Sequence, residues 1–171
     1  MATDKKIIVL LLILLSGLAA SCVSEGEPDN TGLKAGDTLP DFTVALNDGR
    51  VVSTSSLRGK RVLIELFNTG CPDCRESLPE INSLYESFKD DPDVKIFAIA
   101  RAQEAPELAL YWEENGLILP YSPQPDRTVY DLFASSGIPR IYIADTAGII
   151  IAAFGPEDRP SLSLLTSLLA P

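Results

Sequence analysis

"IELFNTGCPDCRESLPEI", running from Ile64 to Ile81, holds two of the three cysteines of this 171-residue chain, Cys71 and Cys74, with only Pro72 and Asp73 between them. Upstream, Arg61 to Asn68 is almost continuously apolar, as expected of a central strand covered on both faces. Downstream, Leu78, Ile81, Leu84, Tyr85 and Phe88 recur at helical spacing and predict a helix over Pro72 to Phe88. Proline suits the first turn of that helix, whereas Pro79 is expected to kink its middle. The two cysteines therefore sit at a strand-to-helix junction.

Working outward, "DFTVAL" (Asp41 to Leu46) alternates like a strand, Asn47 to Gly49 is a turn signal, and Arg50 to Ser53 returns as a hairpin partner. Val94 to Ala100 reads as a second buried strand. Next come a helix over Pro106 to Asn115, a Pro-rich loop "LPYSPQPD" and a shorter helix near Thr128 to Ala134. Arg140 to Ala144 forms a strand, "DTAG" a turn, Ile149 to Phe154 its hairpin partner, and Ser161 to Leu169 a closing helix. That order predicts an α/β fold, a mixed sheet with helices on both faces.

The N-terminus carries a different signal. Lys5 and Lys6 precede the apolar run Ile7 to Leu15, and small residues follow, ending in "LAASC" with Cys22 last. These are the regions of an export signal, and the apolar stretch is shorter than the ~20 residues a membrane span needs. "LAASC" resembles a bacterial lipobox, although Ala19 stands where that motif prefers Leu. The resemblance implies that residues 1–21 are a lipoprotein signal peptide and that Cys22 is lipidated, which accounts for the odd cysteine. Residues 22–32 are expected to be a flexible tether and residues 33–171 the folded domain. The acidic stretch after Cys22 resembles the surface-export signals of Bacteroidota lipoproteins, which implies membrane anchoring at the periplasm or cell surface of a Gram-negative bacterium. Residues 1–21 carry a net charge of +1, so their removal takes the chain from −10 to −11. Such a charge argues against nucleic acid as a partner.

Three readings of Cys71 and Cys74 compete. A zinc site needs four ligands, and the chain has no histidine and no second CxxC, so no metal and no other cofactor is expected. As a staple, so short a loop gains only about 2 kcal/mol of chain entropy. The redox reading accounts for the position. At a helix N-terminus, unpaired amides and the dipole favour the Cys71 thiolate, making it the attacking sulfur. Cys74, one turn later and facing inward, then resolves the mixed disulfide. Asp73 adds a negative charge nearby that is expected to limit how far the Cys71 pKa falls. Glu65, six residues before Cys71 on an apolar strand, is expected to be desolvated, with a raised pKa, and to serve as proton acceptor for Cys74.

"AGDTLPDFTVALNDGRVVSTSSLRGKRVLIELFNTGCPDCRESLPEI" resembles the start of a TlpA/ResA-like thiol:disulfide oxidoreductase of the thioredoxin superfamily. "ASSGIPRIYIADTAGII" resembles that family's later signature, and the likeness spans about Leu33 to Pro156. It implies a thioredoxin-like fold with an N-terminal β-hairpin extension and a helix inserted before the cis-proline region. It implies also that Pro139 is cis and faces the CxxC, with the Ile138 backbone pairing with an extended substrate and Pro72 and Asp73 beside them. The chain departs from the family in two places. Gly70 replaces a tryptophan, and Ser77 stands where a glutamate is common, as though the acid had moved to Glu65 on the strand. Expected partners are protein thiols and disulfides with a separate electron donor or acceptor, and reduction of substrate is the favoured direction. The alternatives are a peroxiredoxin-like peroxidase and a non-catalytic surface lipoprotein with a permanent disulfide. Against the peroxidase, the Pro-x-x-x-Thr-x-x-Cys pattern is missing: Thr69 is two residues before Cys71, and Ile64 stands where the proline belongs.

Overall fold

The computed structural model describes residues 32–170; the signal, Cys22 and nearly all of the tether read from the sequence lie outside them. The strand Arg61–Phe67 (β3) is the centre of a five-stranded sheet. It pairs in parallel with Val94–Ala100 (β4) and antiparallel with Arg140–Ala144 (β6). Tyr121–Ser122 (β5) extends the sheet beyond β4, and Ile150–Phe154 (β7) closes the other edge against β6. Thr43–Ala45 (β1) and Val51–Ser53 (β2) form a separate antiparallel hairpin.

Every residue of β3 from Val62 to Phe67 is buried, as its unbroken apolar run requires. The pleat sends Leu63, Glu65 and Phe67 to one face, where three helices lie: Pro72–Phe88 (α1), Ala105–Asn115 (α2) and Leu162–Leu169 (α3). Ser77 of α1 bonds Glu65, the Trp112 ring of α2 packs 5.3 Å from that of Phe67, and the Leu168 carbonyl beside the end of α3 accepts from Arg61 Nη1 at 3.3 Å. The opposite face is covered by Phe42 and Phe133, whose rings lie 5.6 Å apart, with Tyr142 of β6 stacked beyond Phe133 at 5.4 Å. The sheet is thus mixed, with its three α-helices on one face rather than on both as the element order suggested, and with α2 inserted ahead of the segment leading to Pro139.

Two elements differ from the sequence reading. The helix expected near Thr128 to Ala134 is a single 3₁₀ turn, Tyr130–Leu132, because the Phe133 and Tyr130 side chains must both reach the core within one short connection. The Pro-rich loop contains β5, a strand too short to have a period. Tertiary bonds hold it: Tyr121 N–H donates to Asn47 Oδ1 at 2.9 Å and Ser122 Oγ donates to the Ala45 carbonyl at 2.7 Å. Pro79 lies inside α1 without ending it. Among the described residues no helix is long and apolar enough to cross a membrane.

Asn82 joins α1 to the segment entering β5, its Oδ1 accepting from the amides of Ile118 at 2.7 Å and Leu119 at 2.9 Å. Leu119 is buried, so its amide has no water to turn to. Asn82→Ala is expected to destabilise the domain by about 1–3 kcal/mol in urea unfolding, while Asn82→Asp, which keeps the acceptor, costs less.

Candidate active site

β3 ends at Phe67, and after three intervening residues Cys71 becomes the N-cap of α1, with Pro72 as the first helical residue. Cys71 has extended backbone geometry and no side-chain cap bond, so its sulfur is not engaged by the helix it precedes. Its amide donates to the Asn68 carbonyl at 3.0 Å. Both cysteines are thiols, Cys71 half-buried and Cys74 fully enclosed. That asymmetry follows from helix geometry, since Cys74 lies one turn into α1 on the face that carries Leu78 and Ile81 into the core.

The Ile138–Pro139 bond is cis, as expected from the sequence. The Cys71 sulfur lies 3.7 Å from the Ile138 carbonyl, within reach for its thiol to donate there. A connection 67 residues away in sequence thus borders the half-buried sulfur. Pro72 is exposed, Asp73 half-buried, and both Ile138 and Pro139 are buried.

Glu65 sits beneath this junction with no exposed surface. Burial among apolar neighbours pushes its pKa up to about 8; the Ser77 hydroxyl opposes that rise and the Glu80 charge adds to it. Ser77 Oγ donates to Glu65 Oε1, while Glu65 Oε2 has no hydrogen-bond partner. The strand carboxylate and the helix hydroxyl that the sequence presented as two separate departures therefore meet in one bond. Burial likewise pushes the Cys74 thiol well above its ordinary range, with the charges of Cys71 and Glu65 adding to the effect. An orphaned carboxyl oxygen under a buried thiol is an arrangement suited to moving a proton.

A groove of about 370 Å³ opens beside the junction. Its apolar floor includes Ile81, Pro139, Ile141 and Phe154, and Glu76, Glu80 and Asp158 stand among its lining residues. One wall is the segment between β7 and α3, which reaches back to the cysteine pair through an Arg159–Asp73 ion pair of 2.9 Å. Sequence reading found Asp73 but not this partner, because nothing local marks a contact across 86 residues. Among the described residues no group of three or more His, Cys, Asp or Glu is placed to hold a metal ion.

Comparison with known proteins accords with this geometry. The model of the AhpC/TSA family matches residues 35–153. The thiol-disulfide oxidoreductase ResA of Geobacillus thermodenitrificans is 26% identical over 154 residues, 88% of each chain. That of Oceanobacillus iheyensis is 28% identical over 145 residues, 82% of this chain and 75% of the relative. Among solved structures, the thioredoxin domain of a thiol-disulfide oxidoreductase from Bacteroides vulgatus superposes with a TM-score of 0.66 at 26% identity, covering 79% of this chain and 96% of that one. With the strand-to-helix cysteine pair and the cis-proline loop in place, the chain belongs to the AhpC/TSA family and is a TlpA/ResA-like thiol:disulfide oxidoreductase of the thioredoxin superfamily.

Proposed function

We propose that Cys71 and Cys74 reduce disulfides in protein substrates outside the cytoplasm, with Cys71 attacking and Cys74 resolving. The observation that carries this reading is the asymmetry of the pair, a half-buried Cys71 thiol 3.7 Å from the Ile138 carbonyl beside a fully buried Cys74. In the first step the Cys71 thiolate attacks one sulfur of the substrate disulfide. A mixed disulfide forms and the other substrate sulfur leaves as a thiolate that takes up a proton. Glu65 then accepts the Cys74 proton, directly or through one water, and the Cys74 thiolate attacks Cys71 Sγ. The Cys71–Cys74 bond forms, the second substrate thiol is released, and the substrate has gained two electrons. A separate dithiol donor must then return two electrons and two protons to the pair.

The reducing direction is part of this proposal, and the reduction potential of the pair decides it. Pro72, Asp73, Ile138 and Pro139 border Cys71 and form the substrate contact in this scheme. The peroxidase reading is disfavoured by the missing Pro-x-x-x-Thr-x-x-Cys pattern, since Ile64 stands where the proline belongs and Thr69 is two rather than three residues before Cys71.

The lipobox-like "LAASC" supports removal of residues 1–21, lipidation of Cys22 and a tether over residues 22–32 that holds the domain 33–171 on an extracytoplasmic membrane surface. Cys22→Ser is expected to move the protein from the membrane to the soluble fraction of cells expressing the full chain. Retention in the membrane would remove the anchor.

Cys74→Ser is expected to accumulate a mixed disulfide through Cys71 when offered a disulfide-bonded protein, and Cys71→Ser to accumulate none. The pair should equilibrate near the roughly −270 mV of thioredoxin; a value near the roughly −120 mV of DsbA would reverse the direction. A pair that dithiothreitol cannot open would leave only a structural disulfide.

Glu65 gives a pH signature. Its carboxyl holds a proton in the folded state up to about pH 8 but releases it near pH 4.5 when unfolded. The resulting stabilisation is complete below the unfolded value and is lost as pH rises toward the folded one, at up to about 1.4 kcal/mol per pH unit. Glu65→Gln is expected to flatten this slope in urea unfolding between pH 5 and 8. The same substitution should slow resolution of the Cys71 mixed disulfide by roughly 10²- to 10⁴-fold. Unchanged release rates would exclude Glu65 from the proton transfer.

A further inference from the structure

We infer that Gln103 is a positioning residue for Cys71, acting through Thr69. Gln103 is only 8% exposed, and its side chain runs back from the end of β4 to the loop that follows β3. Its Oε1 accepts from the Thr69 amide at 2.9 Å and its Nε2 donates to Thr69 Oγ1 at 2.5 Å. The Thr69 N–H can only donate, so it fixes which way the Gln103 amide faces. The third polar group of Thr69, its carbonyl, accepts from Arg75 Nε at 2.5 Å. All three hydrogen-bonding groups of a buried residue two positions before Cys71 are therefore held.

A parallel set of bonds holds Asn68. Its Nδ2 donates to the Arg101 carbonyl at 3.0 Å, and its Oδ1 accepts from the Gly70 amide at 2.8 Å. The segment from Arg101 to Gln103 thus holds Asn68 and Thr69 side by side, and the Asn68 side chain in turn holds the amide of exposed Gly70, the last residue before Cys71.

The backbone that presents Gln103 is unusual. Ala102 has φ of 51°, the one non-glycine residue with positive φ among those described. That conformation is unfavourable for a residue bearing a Cβ and persists only where surrounding bonds over-determine it. Those bonds are present: the Ala102 amide donates to the Asp126 carbonyl at 2.9 Å, and Gln103 and Gln124 exchange backbone bonds of 2.7 and 3.2 Å. The left-handed residue turns the chain at the end of β4, which places Gln103 for its bonds to Thr69. A sulfur that must approach a disulfide in line is sensitive to a misplacement of about 1 Å.

The inference rests on Cys71 being the attacking thiol, and the test separates the two claims. Using the full chain with Cys74→Ser, so that adducts accumulate, the rate of mixed-disulfide formation with glutathione disulfide is measured alongside the pH dependence of Cys71 alkylation by iodoacetamide. Gln103→Leu is expected to slow the disulfide reaction roughly 10- to 100-fold and to shift the alkylation profile. Relative to the unsubstituted protein at the same pH, Gln103→Glu should restore most of the rate at acidic pH, where a neutral carboxyl accepts and donates as the amide does. It should restore less as pH rises, because Glu107 Oε2 stands 3.3 Å from Gln103 Nε2 and repels an ionised carboxyl there. Thr69→Val should slow the reaction by itself but add nothing to Gln103→Leu. A Gln103→Leu protein that is folded and reacts at the unsubstituted rate, or effects of Gln103→Leu and Thr69→Val that multiply, would overturn the inference. If Gln103→Leu does not fold, Thr69→Val decides alone, a slowed rate supporting the inference and an unchanged rate overturning it. An inert Cys71 in the otherwise unsubstituted protein would overturn the proposed function instead.

Discussion

The central strand β3 is paired along both edges and covered on both faces, and the chemistry of the molecule depends on that enclosure. A residue in its interior meets no water, so Glu65 is carried into a place where its ionised form is disfavoured. The same strand delivers the chain directly to the N-terminus of α1, where Cys71 becomes half-exposed and Cys74, one turn later, is withdrawn. Two thiols close in sequence thereby acquire different environments. The enclosed strand thus yields one half-buried and one enclosed thiol, the asymmetry on which the proposed attacking and resolving roles rest.

Around that junction, groups from distant parts of the chain meet: the Ile138 carbonyl on one side, Ser77 and Glu65 beneath, and Thr69 with Gln103 behind. The Thr69 hydroxyl illustrates how membership of the AhpC/TSA family leaves the chemistry open. The peroxidase-type pattern puts a threonine three residues before the cysteine, but here Thr69 is two residues before Cys71 and its hydroxyl accepts from the Gln103 amide. Thiol exchange needs no such hydroxyl, so the residue is released for structural use.

Most of the frame was legible in the sequence because its strongest signals are local. The strands β3, β4 and β6 and the helix α1 follow from apolar runs and helical spacing, and their limits agree with the expected ones except that β3 ends one residue earlier, at Phe67. β5 was not legible, since two residues in a Pro-rich stretch show no period and are held by Asn47 and Ala45 from the hairpin. The 3₁₀ turn at Tyr130 was read as an α-helix because its composition permits one, whereas the demands of Tyr130 and Phe133 on the core do not. At the site, Cys71, Cys74, Pro139 and the burial of Glu65 could be read from motif and pattern. Ser77 was noticed as a departure, yet its bond to Glu65 required the helix to be laid on the strand. Gln103 carried no signal, because a single glutamine in a connecting segment looks like any surface residue until the left-handed Ala102 turns it inward.

The ion pair between Arg159 and Asp73 has a consequence for the groove it borders. Its side chains are 55% and 47% exposed, and pairs in that setting contribute about 0–1 kcal/mol. This is comparable to thermal energy, and ionic strength weakens it further. The wall between β7 and α3 is consequently fastened to the cysteine pair only loosely. In the proposed scheme a polypeptide docking beside Pro139 parts the two charges at little free-energy cost, and the tie weakens as the salt of the surrounding medium rises.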